Sequence, residues 1–161
     1  MSEKAQIIQV PNTLRAKVGG RLGAIDADSI AKAEAALADL SSQFDSWLLD
    51  EVKKLEDVQA TIKTEGLTTA NAEQLFYRAH DLKGLGTTYG YPLITRICGS
   101  LCKLMDEDDK RSAAPRVLVD AHLDAVRAIV RDQIKEENHP MGRVLAEALE
   151  QRVKEHLATA G

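Results

Sequence analysis

Aromatic residues are scarce in this chain of 161 residues, with one Trp, three Tyr and two Phe. Six rings are too few for the stacking platforms that hold single-stranded nucleic acid. The charge is wrong for that partner too, because 21 Lys and Arg against 25 Asp and Glu leave a formal net charge of −4, with both signs interspersed. No apolar run approaches the roughly 20 residues needed to cross a bilayer. The opening residues MSEKAQIIQVPN also lack the apolar stretch of a signal peptide. Neither nucleic acid nor membrane is therefore an expected partner, and the expected location is cytoplasmic. Cysteine is limited to Cys98 and Cys102, four apart in a stretch that reads as helix. That spacing rarely meets disulfide geometry, so both are expected as reduced, packed thiols. Strand-like alternation, internal repeats and low-complexity tracts are absent as well.

What the chain does have is helical periodicity, which makes the expected class all-α. Across residues 29–64, Ile30, Ala33, Leu37, Leu40, Phe44, Leu48, Val52, Leu55, Val58 and Ile62 follow one another in steps of three and four. One long helix of roughly 50 Å accounts for them, although Ser41 and Ser42 are plausible caps for a break. Asn71 is expected to cap a second helix that runs to about Gly86. The stretch TTYGYP then turns the chain, and Pro92 suits the first position of a third helix. A fourth opens at Pro115 and closes around Asn138, His139 and Pro140. Leu145, Leu149, Val153 and Leu157 predict a short fifth helix. Short connections favour antiparallel neighbours, hence an up-down four-helix bundle. The predicted organisation is an N-terminal arm over 1–28, where Gly19, Gly20 and Gly23 fall, and one helical domain over 29–161.

The second helix carries the chemistry. Taking His80 as zero and about 100° per residue, Leu75, Ala79, Leu82, Gly86 and Tyr89 lie about 100° to 180° away and face the core. Phe76, Lys83, Gly84 and Thr87 lie within about 60° of His80, so its imidazole points to solvent beside an ammonium and a position without a side chain. An exposed imidazole, largely neutral near pH 7, is a suitable nucleophile for a phosphoryl group. Lys83 offsets the incoming charge, and Thr87 has a hydroxyl to offer a phosphoryl oxygen. Gly84 costs roughly 1 kcal/mol of helix propensity relative to Ala, which close approach of a partner explains.

The run AHDLKGLGTTYGYPLITRICGSLCKL, residues 79–104, resembles the signature of histidine-containing phosphotransfer (HPt) domains. The likeness rests on His80, Lys83 and Gly84 at three and four residues further on, Gly90, and Leu93 and Leu101 on the following helix, within a signature region of 71–109. Arg78, on the core side, and the large Leu85 depart from the pattern. The resemblance implies an HPt-like bundle whose His80 accepts a phosphoryl group from a receiver-domain aspartate and passes it to a second receiver. It further implies Lys83 as electrostatic partner, Gly84 as clearance, and Phe76, Thr87 and Gly90 as docking surface. Response-regulator receivers and a hybrid or cognate histidine kinase of a bacterial two-component system are the implied partners. No intrinsic cofactor is implied, since the Mg²⁺ belongs to the receiver. Such a protein is a monomeric phosphocarrier rather than an enzyme. The competing class is a helical adaptor that binds receivers or a kinase with its histidine idle.

The remaining candidates have plainer readings. His122 sits in a helical ridge and is expected to be a satisfied structural residue, while His139 and His156 are expected to be solvated. The acidic run 106–109 spreads around a helix end and is expected to be solvated rather than a cation site. Trp47 reads as a core or docking anchor. No Glu-x-x-His pair is present on two helices, so a di-iron bundle is not expected.

Overall fold

A computed structural model describes residues 26–160, and it is all-helical, with no strand among them. The elements are α1 (Ala27–Glu65), α2 (Thr69–Leu85), α3 (Pro92–Leu104), a 3₁₀ turn (Arg111–Ala113), α4 (Arg116–Arg131) and α5 (Pro140–Thr159). None is long and apolar enough to cross a membrane. The chain divides into two compact units, Met1–Leu40 and Ser41–Gly161. Of the arm expected over 1–28, residues 1–25 lie outside the described residues.

In the first unit, Asp26 caps α1 by accepting the Ser29 N–H at 2.8 Å. The apolar stripe read along α1 is exposed here: Ile30 at 49 %, Leu37 at 67 % and Leu40 at 46 %. The helix of 39 residues measures about 58 Å at 1.5 Å per residue. The helix runs through Ser41 and Ser42 without a break.

In the second unit, α1 contributes Leu48, Val52, Leu55, Val58 and Ile62 to a core shared with Leu75 and Leu82 of α2, Leu93, Ile97 and Leu101 of α3, and Val126 and Ile129 of α4. Each of these side chains stabilises the fold by about 1.5–3 kcal/mol through burial. α3 packs against α2, α4 and α5, α4 also against α5, and the 3₁₀ turn against α2. Polar pairs tie α1 to its neighbours. Gln59 donates to Asp120 of α4 at 3.0 Å, Arg127 of α4 donates to Gln59 at 2.7 Å, and Arg78 of α2 stands 3.9 Å from the buried Glu51. That last pair accounts for an arginine on the core side of α2.

Local chemistry sets the helix ends, and three of them differ from expectation. Thr68, not Asn71, caps α2: its hydroxyl accepts the Asn71 N–H at 3.2 Å while the Asn71 amide oxygen accepts the Thr68 N–H at 2.8 Å. This reciprocal pair satisfies two donors that the helix leaves unpaired. α4 stops at Arg131, well before Asn138. Gln133 adopts φ 51°, and the Ile134 N–H returns to the Ile129 carbonyl at 3.0 Å, closing the helix in a left-handed cap. α5 is not short, since its 20 residues exceed α2, α3 and α4 in length. It begins on His139, half-buried, whose Nδ1 accepts the Gly142 N–H at 3.2 Å. Its buried face is Gly142, Ala146, Leu149 and Val153, whereas Leu145 and Leu157 are exposed.

Candidate functional site

The phase of α2 is set by Leu75, Ala79, Leu82 and Gly86, all buried. One face therefore points into the core and the other presents His80, Lys83, Gly84 and Thr87, all exposed, with Phe76 half-buried beside them. His80 stands beside Phe76 with ring centroids 6.2 Å apart. Among the described residues, neither of its ring nitrogens is hydrogen-bonded. It opens onto a shallow cavity of about 350 Å³ walled on the α2 side by Phe76, Tyr77, His80 and Lys83. The far wall comes from the end of α3, as Cys102, Lys103 and Asp106. Two ammonium groups, one carboxylate and one imidazole thus share a concavity flanked by two aromatic rings.

The glycines divide by what surrounds them. Nothing lies within 4 Å of where a Gly84 Cβ would stand, so the fold itself has no need of glycine there. At Gly86 the opposite holds: a Cβ would stand 2.6 Å from Thr95 Oγ1 and 2.8 Å from the Thr95 backbone N. That close approach lets the chain turn tightly, with the Tyr91 N–H returning to the Gly86 carbonyl at 2.8 Å. Gly90, exposed at φ +86°, takes the left-handed step of the same turn. Thr87 is engaged rather than idle: its N–H and its hydroxyl both donate to Thr95 Oγ1, at 2.8 and 3.1 Å. The half-buried Tyr89 rests between Phe44 and Trp47, with centroids 4.5 and 4.7 Å away, which anchors the turn to α1.

Lys83 lies with its stem over Gly99 of α3, its Cδ 3.8 Å from where a Cβ would stand. Lys83 thereby also borders a second groove, of about 540 Å³, between α3 and α5. Across it, Arg96 of α3 makes a two-pronged pair with Glu150 of α5 at 2.9 and 2.8 Å. Cys102 faces the His80 cavity, but burial pushes its thiol up to about 11, against the opposing pull of Lys83. It stays protonated near neutral pH. Cys98, fully buried, is pushed up further by the same cause.

His122 is a structural residue, as expected. It is 0 % exposed, its Nδ1–H donates to the Leu118 carbonyl at 2.7 Å, and its Nε2 accepts from the Ser100 hydroxyl at 3.0 Å. In the acidic run 106–109, Glu107 pairs with Lys110 and Asp108 with Arg111, both at 2.7 Å. No group of three or more metal-ligating side chains occurs among the described residues.

The sequence points to the exposed side of α3 as docking surface but not to the individual residues that wall the cavity there, Cys102, Lys103 and Asp106, nor to Tyr77 on the near wall. Nor does it point to Arg111, whose guanidinium lies 3.7 Å over the Phe76 ring. A signal for Lys103 was present, since it lies one turn from Gly99 on α3, the neighbour of the helix that bears His80. No protein-family model, curated protein or solved structure matches this chain.

Proposed function

We propose that the protein is a phosphorelay intermediate of the HPt type, which takes a phosphoryl group from a receiver-domain aspartate onto His80 and hands it to another receiver. The observation that carries this reading is an exposed, unpaired imidazole one helical turn from both an ammonium and a glycine that the fold does not require. In this reading α1 from residue 41 on, with α2, α3 and α4, is the up-down four-helix bundle of a cytoplasmic bacterial signalling protein. α5 is an addition to it.

The chemistry asked of the chain is small. A lone pair on the outward ring nitrogen forms the N–P bond as the P–O bond to the receiver's aspartyl carboxylate breaks, and the electron pair leaves on that carboxylate. The proton on the other ring nitrogen is free to pass to water. Lys83 and Lys103 balance part of the added charge, while the Mg²⁺ and most of the stabilisation come from the receiver. Chemistry on both sides of the transfer belongs to partners, so the protein is a carrier and substrate rather than an enzyme.

Incubation with a receiver labelled on its aspartate tests this. The expected product is an acid-labile, alkali-stable adduct on the wild-type protein that is absent from His80→Gln with its helical content unchanged. A receiver that binds without ever transferring label makes the protein an adaptor instead.

A further inference from the structure

Arg111 is the only arginine among the buried residues described, at 7 % exposure, and every part of its guanidinium is used. Nε–H donates to the Met105 carbonyl at 2.7 Å and an Nη2–H to the Asp106 carbonyl at 3.5 Å, while Nη1 pairs with Asp108 at 2.7 Å. The flat face lies over the Phe76 ring, 3.7 Å from its centroid, with Tyr77 at 6.0 Å. One side chain thus grips both walls of the His80 cavity: Phe76 from α2, and the carbonyls that end α3 just beyond Lys103.

We propose that Arg111 is a positioning residue for partner docking at His80, holding the Phe76 ring in place so that a receiver meets a preformed surface. The inference rests on the phosphocarrier reading. Its physical basis is preorganisation. Phe76 neighbours the His80 ring at 6.2 Å and would otherwise be a half-buried ring with open space on one side. Any interface that uses it would have to order it on binding, and a face held beforehand removes that cost. The cation also suits the C-terminal end of α3, where unpaired carbonyls concentrate negative charge. Lysine cannot replace it: a single ammonium has no planar fork with which to serve two carbonyls while stacking on a ring.

The experiment compares wild type with Arg111→Met, Arg111→Lys, Phe76→Ala and Phe76→Ala combined with Arg111→Met, each at a temperature where circular dichroism shows it folded. Two reactions are measured, transfer from a phosphorylated receiver and direct phosphorylation of His80 by phosphoramidate. For Arg111→Met, the receiver KM is expected to rise about tenfold, the size of one lost interface contact, with phosphoramidate labelling unchanged. Arg111→Lys should show the same direction, and it replaces the methionine variant if that one does not fold. The double variant should have the KM of Phe76→Ala alone, because Arg111 acts through Phe76. Multiplying effects in the double variant, an unmoved KM in both Arg111 variants, or an equal fall in phosphoramidate labelling overturns the inference while wild-type transfer stands. Absence of transfer to wild type from any receiver overturns the phosphocarrier reading itself, and this inference with it.

Discussion

Gly84 and Gly86 stand two residues apart on α2 and its continuation, and a methyl group should act on them with opposite signs. At Gly84 the Cβ position is open and the backbone is that of ordinary helix; beyond it, the Gly86 N–H bonds the Leu82 carbonyl at 2.8 Å and the Tyr89 N–H that of Leu85 at 3.0 Å. Glycine in such a place costs about 0.5–1 kcal/mol relative to alanine. Gly84→Ala is therefore expected to stabilise the protein by about that much, raising the melting temperature by about 1–4 °C for a chain of this size. Gly84→Gln, also a good helix former, should melt at or above wild type. On the phosphocarrier reading its side chain, one turn from His80, obstructs the receiver, so transfer should slow at least about tenfold. At Gly86 a Cβ would press on the Thr95 backbone N at 2.8 Å and the Tyr91 carbonyl at 3.0 Å, and backbone does not yield cheaply. Gly86→Ala is expected to cost about 1–3 kcal/mol. Thermal melts followed by circular dichroism read the stabilities, and receiver-dependent labelling reads the transfer. Unchanged transfer in Gly84→Gln refutes the idea that this glycine serves clearance. A destabilised Gly84→Ala refutes its being spared by the fold.

Lys83→Ala should leave stability within about 0.5 kcal/mol, since the side chain is exposed, and should slow transfer about tenfold or more through loss of a charged partner for the phosphoryl group; a large drop in melting temperature would contradict the placement of its stem. The pH dependence of stability should carry the mark of His122, whose burial lowers its pKa from the ordinary 6.5. A histidine held neutral in the fold but free to protonate when unfolded stabilises above about pH 6.5, and that contribution is lost as pH falls below it. The slope reaches about 1.4 kcal/mol per pH unit for one proton. Denaturant melts between pH 7 and pH 5 should show it in wild type and a flatter profile in His122→Gln. Equal profiles would mean that another group dominates.

The face of α2 was legible because a helix fixes which residues are neighbours three and four apart, whatever surrounds it. Leu75, Ala79 and Leu82 therefore locate the core, and His80, Lys83 and Gly84 are then outward by arithmetic. Periodicity says that a helix has an apolar face, not that anything covers it. Hence the stripe of α1 reads identically at Leu37 and at Leu55, yet only the second is buried. On α5 the large residues misled: Gly142 and Ala146 face the core because small side chains allow close approach, and a Cβ at Gly142 would run into Leu93 Cδ1. Gln133 ended α4 in a conformation usually signalled by glycine, and no glycine was there to signal it.

Arg111 shows why one wall of the site could be read and the other could not. It follows the charged run 106–110, where local composition argues for solvent. What buries its guanidinium is a ring on another helix and carbonyls at the end of a third, and both become its neighbours only when the chain folds. A cation stripped of water survives in such a place only with its hydrogen bonds replaced. The backbone oxygens of Met105 and Asp106 that replace them leave no trace in the sequence, because every residue has a carbonyl. The outward face of one helix is thus written locally, whereas the cavity beside it is assembled across helices.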